Sequence, residues 1–429
     1  MAQPGTSGKT EGKSDPLTNL AIDSERLLTR LHELGELGRT ADGKLVRLAA
    51  SDADKLGRDR FVAWAKAAGL VVKIDRIGNI LALWRAAETP DAKPLMLGSH
   101  LDTVIDAGIY DGCYGVLAGL EVIETLKETG FVPRQPLVIA AFTNEEGVRF
   151  APDMMGSLVY AGGLRPEEAL AAKGTDGMRL DDELARIGYS GEEEPGFLQP
   201  EAYLELHIEQ GPILEREGFA IGAVENLQGI SWQRITIGGV ANHAGTTPMA
   251  LRHDAGHAAA CVIAFLHDRA ATSKSGTVAT VGTMEFEPNA INVIPSRAIF
   301  TVDLRDPDEE RLKAEEQALA DYLAALADTT GVTISVERLA RFEPVKFDQG
   351  LVADIEAAAK GRGLGVRRMT SGAGHDAQMM ARIAPAAMIF VPSIGGISHN
   401  PKEFTPETDL VAGANVLLDV VRLLASAGR

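Results

Sequence analysis

From Gly229 to Phe342 the chain changes rhythm, and that change constrains its fold more than any single residue does. Alternating apolar residues predict a strand over Ile230–Ile237, helical spacing a helix over Asp254–Asp268, and then strands follow over Thr277–Phe286 and Ala298–Leu304. A charged amphipathic helix over Asp308–Ala327 and a strand over Val332–Leu339 complete the order βαββαβ, that of a ferredoxin-like sandwich. Before this stretch, from about Leu17 to Gly211, helices (Leu27–Leu37, Asp54–Ala68) alternate with strands (Leu70–Ile74, Asn79–Trp84, Pro94–Ser99, Pro136–Phe142, Tyr203–His207). After it, a helix over Leu351–Gly363 and a buried strand over Ala386–Val391 resume the pattern. Such alternation marks an α/β sheet. One α/β domain built from residues 17–228 and 343–429 is therefore expected, interrupted by an α+β domain over residues 229–342.

Two units suit a chain of 429 residues, which is too long for one ordinary core. With 42 Lys plus Arg against 60 Asp plus Glu, the formal charge is −18, a field that repels phosphate backbones and anionic membranes. Nucleic acid and membrane partners are thus not expected. Two cysteines, Cys113 and Cys261, are too few for a disulfide framework and suit a reducing cytoplasm. Residues 1–16 are polar, without the apolar stretch of a signal peptide, and read as a disordered tail.

Chemistry concentrates where predicted strands end. His100, His207 and His399 lie at or just after such ends, and the acid pair Glu145–Glu146 follows another. Ligands of open α/β sheets bind outside the carboxyl ends of the strands, so these segments converge on one rim. Imidazole and carboxylate without thiolate suit Zn²⁺, Mn²⁺, Co²⁺ or Ni²⁺. A pair of metals needs a bridging carboxylate, and Asp111, beside Gly112 at a helix start, is the candidate. Asp102 is spaced to hold the far ring nitrogen of His100. His253 and His257 have helical i, i+4 spacing but no HExxH glutamate, and read as structural, like His32 and His267. Gly361, Gly363 and Gly365 follow a helix rather than a strand, which makes them a helix end and not a dinucleotide loop. Neither a GxSxG elbow nor a Walker A motif occurs.

Six segments in order carry a resemblance: Gly98–Thr103 (GSHLDT), Asp111–Val116 (DGxxGV), Thr143–Gly147 (TNEEG), Glu205–Pro212 (ELHIEQGP), Asn242–Met249 (NHAGTTPM) and Ser398–His399. From about Leu27 to its C-terminus the chain resembles the M20 metallopeptidase superfamily. TNEEG followed by Arg149–Phe150, together with HIEQGP, is similar to the branch of N-carbamoyl-L-amino acid hydrolases, β-ureidopropionases and allantoate amidohydrolases.

The resemblance implies a mixed-sheet, metallo-exopeptidase-like catalytic domain and an inserted ferredoxin-like domain serving as lid and homodimer contact. It implies one divalent metal on His100 and His207, a second on Glu146 and His399, Asp111 between them, and Glu145 as general base. Gln210, Asn292, Arg305 and the backbone of Gly374 would hold a small ureido substrate bearing a carboxylate. His243 would stabilise the oxyanion from a partner subunit. The implied reaction is cleavage of the ureido C–N bond of an N-carbamoyl-L-amino acid to amino acid, ammonia and carbon dioxide. Allantoate, N-carbamoyl-β-alanine and dipeptides are the alternatives. The chain departs from the family pattern in Ile105–Tyr110, where a Gly-Gly pair is usual before the aspartate, and in Cys113 and Tyr114.

Overall fold

Residues 20–85, 91–273 and 276–426 are described by a computed structural model of the chain. The tail expected over residues 1–16 lies outside the described residues. The strands run in chain order as β1 (Val71–Ile74), β2 (Ile80–Trp84), β3 (Leu95–His100), β4 (Leu137–Phe142), β5 (Ala202–Ile208), β6 (Ile221–Leu227) and β7 (Gly229–Gly238). They continue as β8 (Asn242–His243), β9 (Val278–Glu287), β10 (Val293–Ile294), β11 (Arg297–Asp306), β12 (Thr333–Phe342), β13 (Val345–Lys346), β14 (Val366–Ser371) and β15 (Ala386–Val391).

β3, β4, β5 and β15 are near-continuous apolar runs buried at every position, as expected of strands covered on both faces. They form the centre of a nine-stranded mixed sheet in the order β1-β2-β4-β3-β5-β15-β6-β13, with β14 also paired to β6. The central four are mutually parallel, so their carboxyl ends open on one rim. Helix Cys113–Glu128, apolar almost all round, is buried against this sheet. The elements beyond β15, namely β6, β13 and β14, escape the sequence pattern: β14 (VRRMTS) carries two arginines and is only half buried, so its periodicity is weak.

The second unit is a four-stranded antiparallel sheet in the order β12-β7-β11-β9, with helices Ala255–Thr272 and Glu309–Thr330 on one face. It keeps a separate core around Ile235, Val262, Phe300, Leu304 and Leu319. Along β7, Ser231, Gln233, Ile235 and Ile237 are buried, whereas Trp232 and Arg234 are exposed, so one face of the sheet stays free of helices. Register sets Trp232 opposite Asp303 and Ile230 opposite Arg305. Among the described residues no helix is long and apolar enough to cross a membrane.

Candidate active site

Each histidine of the rim is oriented by a backbone carbonyl. His100, the last residue of β3, donates from Nδ1 to the Asp102 carbonyl (3.0 Å), and His207 in β5 donates from Nδ1 to the Ile208 carbonyl (2.8 Å). A proton on Nδ1 leaves Nε2 bare, and both Nε2 atoms face Asp111 Oδ1, at 3.5 Å and 3.1 Å. The carboxylate of Asp102, expected on the His100 ring, is 3.9 Å from Nδ1 and instead accepts the N–H groups of Glu145 and Glu146, each at 3.3 Å. It thereby positions the acid pair. Gly112, at φ +65°, is required: a Cβ there would stand 2.4 Å from the His100 ring.

On the other side of Asp111, His399 Nε2 is 3.3 Å from Asp111 Oδ2 and 3.3 Å from Glu146 Oε2. Two triads, His100–Asp111–His207 and Asp111–Glu146–His399, thus share one aspartate. Asn144, Met154, Gln210 and His399, all at this rim, hold left-handed φ values of 49° to 58°, strain characteristic of functional sites. Glu205, His207 and His375 also cluster. There, however, Glu205 is satisfied by Ser99 Oγ (2.7 Å), Tyr203 OH (3.3 Å) and the Ala377 N–H (2.7 Å), and His375 Nε2 bonds Ser371 Oγ (3.1 Å), so this group is structural.

Electrostatics match a cation site. Burial opposes the charge on Asp111, yet the rings of His100, His207 and His399 that face it hold its carboxyl well below the usual range. The bond to Asp111 raises His399 to about 9. Burial, reinforced by Asp111, lifts Glu146 to about 8, and burial pushes Glu145 well above its ordinary value. Among the described residues Glu146 Oε1 is buried without a hydrogen-bond partner. Crowded carboxylates, bare imidazole nitrogens and an orphaned carboxylate oxygen fit divalent metals bound through N and O. Cys113 takes no part: it is buried against Arg47 Nη2 at 3.0 Å.

A cavity of about 220 Å³ opens over the triads, lined in part by Glu145, Glu146, Gln210, Trp232, Arg305 and Gly374. Gln210 donates to Asp111 Oδ2 (2.7 Å), and its buried amide oxygen has no partner among the described residues, an acceptor available to a ligand N–H. Arg305 gives Nε and Nη2 to Asp303 (3.1 Å and 2.9 Å) and Nη1 to the Gly372 carbonyl (2.8 Å), which ties the smaller unit to the larger.

His243 and Asn292 are not brought to this cavity. They sit at the short antiparallel β8–β10 pair, both exposed, beyond the Arg297 end of β11, while Arg305 lies eight residues along that strand, about 26 Å away at ~3.3 Å per residue. The N–H groups of Gly245 and Thr246 donate to His243 Nδ1 (3.0 Å and 3.2 Å), which places the ring proton on Nε2 as an outward donor. His253 bonds the Thr330 carbonyl (3.1 Å), in keeping with a structural role.

Sequence reasoning missed Glu403. Buried, it accepts the N–H groups of Tyr110 (3.0 Å) and Asp111 (3.3 Å) on Oε1 and the Ser398 hydroxyl (2.9 Å) on Oε2, joining the Asp111 and His399 loops. Its place is left by Gly108, whose Cβ would fall 2.2 Å from the Glu403 carboxylate. That glycine, within the stretch Ile105–Tyr110, was the available signal.

Residues 96–423 match peptidase family M20/M25/M40. The chain is similar to an N-carbamoyl-L-amino-acid amidohydrolase of Rhizobium meliloti, 41% identical over 95% of this chain and 97% of the relative. An allantoate amidohydrolase of Bacillus subtilis is 34% identical over 91% and 95%. A crystal structure of an amidase of the hydantoinase/carbamoylase family from Burkholderia multivorans superposes with a TM-score of 0.91 at 43% identity, covering 95% of this chain and 98% of that one.

Proposed function

Because the chain belongs to peptidase family M20/M25/M40, in its hydantoinase/carbamoylase amidase branch, we propose that it hydrolyses the ureido C–N bond of N-carbamoyl-L-amino acids. The observation that carries this reading is Asp111 shared between two histidine-containing triads, with Glu145 buried beside them and Arg305 across the cavity. His100, His207 and Asp111 would hold one divalent cation, and Asp111, Glu146 and His399 the other, with Zn²⁺ or Mn²⁺ favoured over Co²⁺ or Ni²⁺. Bound there, the cations supply Lewis acidity that acidifies water and polarises a ureido carbonyl.

Glu145 accepts the proton of the attacking water and returns it to the leaving amino nitrogen. Arg305 takes the substrate carboxylate on its remaining edge, and Gln210 Oε1 accepts from the ureido N–H. Asp102 keeps Glu145 and Glu146 in register through their backbone N–H groups. Water adds to the ureido carbon, the bond to the amino nitrogen breaks, and the carbamate released decomposes to ammonia and carbon dioxide.

Residues 17–228 and 343–429 form the catalytic domain, and residues 229–342 a lid and dimerisation domain. The Nε2–H of His243, exposed and about 26 Å along the sheet from the chain's own Arg305, serves as oxyanion donor to a second copy, with Asn292 beside it. Such a donor is worth about 3 to 4 kcal/mol in the transition state. Both cysteines are free, in keeping with a cytoplasmic homodimer.

Release of ammonia by the metal-loaded protein from N-carbamoyl-L-amino acids, N-carbamoyl-β-alanine and allantoate, beside a dipeptide panel, tests the reading. The carbamoyl amino acids should be cleaved with the highest kcat/KM. Preference for allantoate or N-carbamoyl-β-alanine would move the substrate within the branch, and cleavage of dipeptides alone would overturn the ureido assignment.

A further inference from the structure

The cavity over the triads carries an acid that neither the ligand set nor the proton chemistry uses. Asp153 lines it together with Glu146, Trp232 and Arg305. Its backbone is held firmly. The next residue, Met154, donates its N–H to the Glu145 carbonyl (2.7 Å), and Gly147, at φ +67°, lies so close that a Cβ would stand 2.8 Å from Asp153 Cα. The carboxylate is therefore anchored to the turn that bears the base.

Among the described residues its carboxylate meets only its own backbone N–H. Among the described residues no other residue donates a hydrogen bond to it, and Arg305 acts on it only through space. Arg305 bonds Asp303 through Nε and Nη2 and the Gly372 carbonyl through Nη1, and it makes no hydrogen bond to Asp153. Burial pushes the Asp153 carboxyl above its ordinary range, consistent with this lack of compensation.

A largely desolvated carboxylate at a ligand cavity discriminates in both directions. A bound group with N–H donors relieves its desolvation cost, whereas an apolar group removes the last water from it and gives nothing in return. The other wall, Ile230 and Trp232, is apolar and gives the arm of such a ligand a surface to lie on.

We propose that Asp153 is a specificity-determining residue that accepts hydrogen bonds from an N–H-bearing arm of the substrate, while Arg305 takes the carboxylate and the scissile ureido group faces Glu145. The inference rests on the ureido reading and narrows it to substrates with a polar, donor-bearing side arm: amide, second ureido, ammonium or guanidinium.

The test is a ratio of kcat/KM values for the metal-loaded dimer and its Asp153→Asn and Asp153→Ala variants. Donor-bearing substrates (allantoate and the N-carbamoyl derivatives of glutamine, lysine and arginine) are compared with N-carbamoyl-L-leucine and N-carbamoyl-L-methionine. Wild type should favour the donor-bearing set, and Asp153→Ala should lower that ratio about 10- to 100-fold. Asp153→Asn keeps size and an acceptor oxygen, so it should spare allantoate and the glutamine derivative more than the lysine and arginine derivatives. A thermal melt of each variant reports folding, and Asp153→Asn carries the test should Asp153→Ala fail to fold. A ratio that both folded variants leave unchanged overturns the proposal, and so does an equal fall on every substrate, which would make Asp153 part of the lid contact. Cleavage of ureido compounds without dependence on Asp153 refutes this inference alone. Failure to cleave any ureido compound refutes the ureido reading and this inference with it.

Discussion

Glu403→Ala is the sharpest perturbation of the candidate metal site that replaces none of its candidate ligands. The wild-type carboxylate accepts two backbone N–H groups, of Tyr110 and Asp111, and the Ser398 hydroxyl, all in a buried setting. Truncation leaves two buried N–H donors unsatisfied, at about 1 to 3 kcal/mol each, so a stability loss of roughly 2 to 6 kcal/mol is expected unless water enters. The larger consequence is local. Glu403 ties the Asp111 backbone to Ser398, the neighbour of His399, so its loss loosens the His399 loop against the aspartate it shares with Glu146. Loss of a partner that orients ligands costs about 10- to 100-fold in metal affinity. That loss should fall on the Asp111–Glu146–His399 side, because the ring nitrogens of His100 and His207 remain held by their carbonyls. Metal content after dialysis against a graded chelator, with stepwise titration of the metal-free protein, reads both sites. One tightly held metal per chain with the second weakened is expected. Two metals bound with wild-type affinity in folded Glu403→Ala would refute the reasoning.

Three further outcomes follow from the geometry. Gly112→Ala should cost about 1 to 3 kcal/mol, because φ +65° with ψ −50° lies outside the wells open to other residues, and it should also displace the His100 ring and weaken the metal shared with His207; unaltered metal affinity would count against the close approach. Arg186, with Arg149, holds Glu183 at about 2, below its usual 4.5, so its stabilisation is present above pH 4.5 and is lost as pH falls from 4.5 towards 2. Thermal melts of Glu183→Gln should therefore differ from wild type at pH 6 and converge with it towards pH 2, and a constant gap would contradict the pairing. Mixing inactive Glu145→Gln with inactive His243→Ala should restore about a quarter of wild-type activity, since half the dimers are mixed and each of those holds one intact site; no recovery after subunit exchange would place His243 in its own chain's site.

The candidate metal site was legible because its residues lie at or beyond the ends of buried strands: runs such as LMLGSH and LVIAAF announce both strand and rim, and four parallel neighbours bring the rim together. The βαββαβ stretch was legible because its two periods are distinct, and the observed order β12-β7-β11-β9 is that of the expected sandwich. What stayed hidden depends on contacts without a period. Glu403 lies in a loop and reaches the centre through packing on Gly108. Asp102 was placed near His100 by spacing alone, and spacing cannot tell that its carbonyl rather than its carboxylate meets the ring. Residue types likewise do not disclose that His243 and Asn292 lie at the far end of a ten-residue strand from Arg305. Only the register does.

The central claim, general-base hydrolysis of a ureido bond, is tested most directly by Glu145→Gln. Ammonia and amino acid released from an N-carbamoyl-L-amino acid should fall at least about 100-fold in kcat, the scale of general-base catalysis, with both metals still bound. Full activity in Glu145→Gln, with the same metal content, would contradict it.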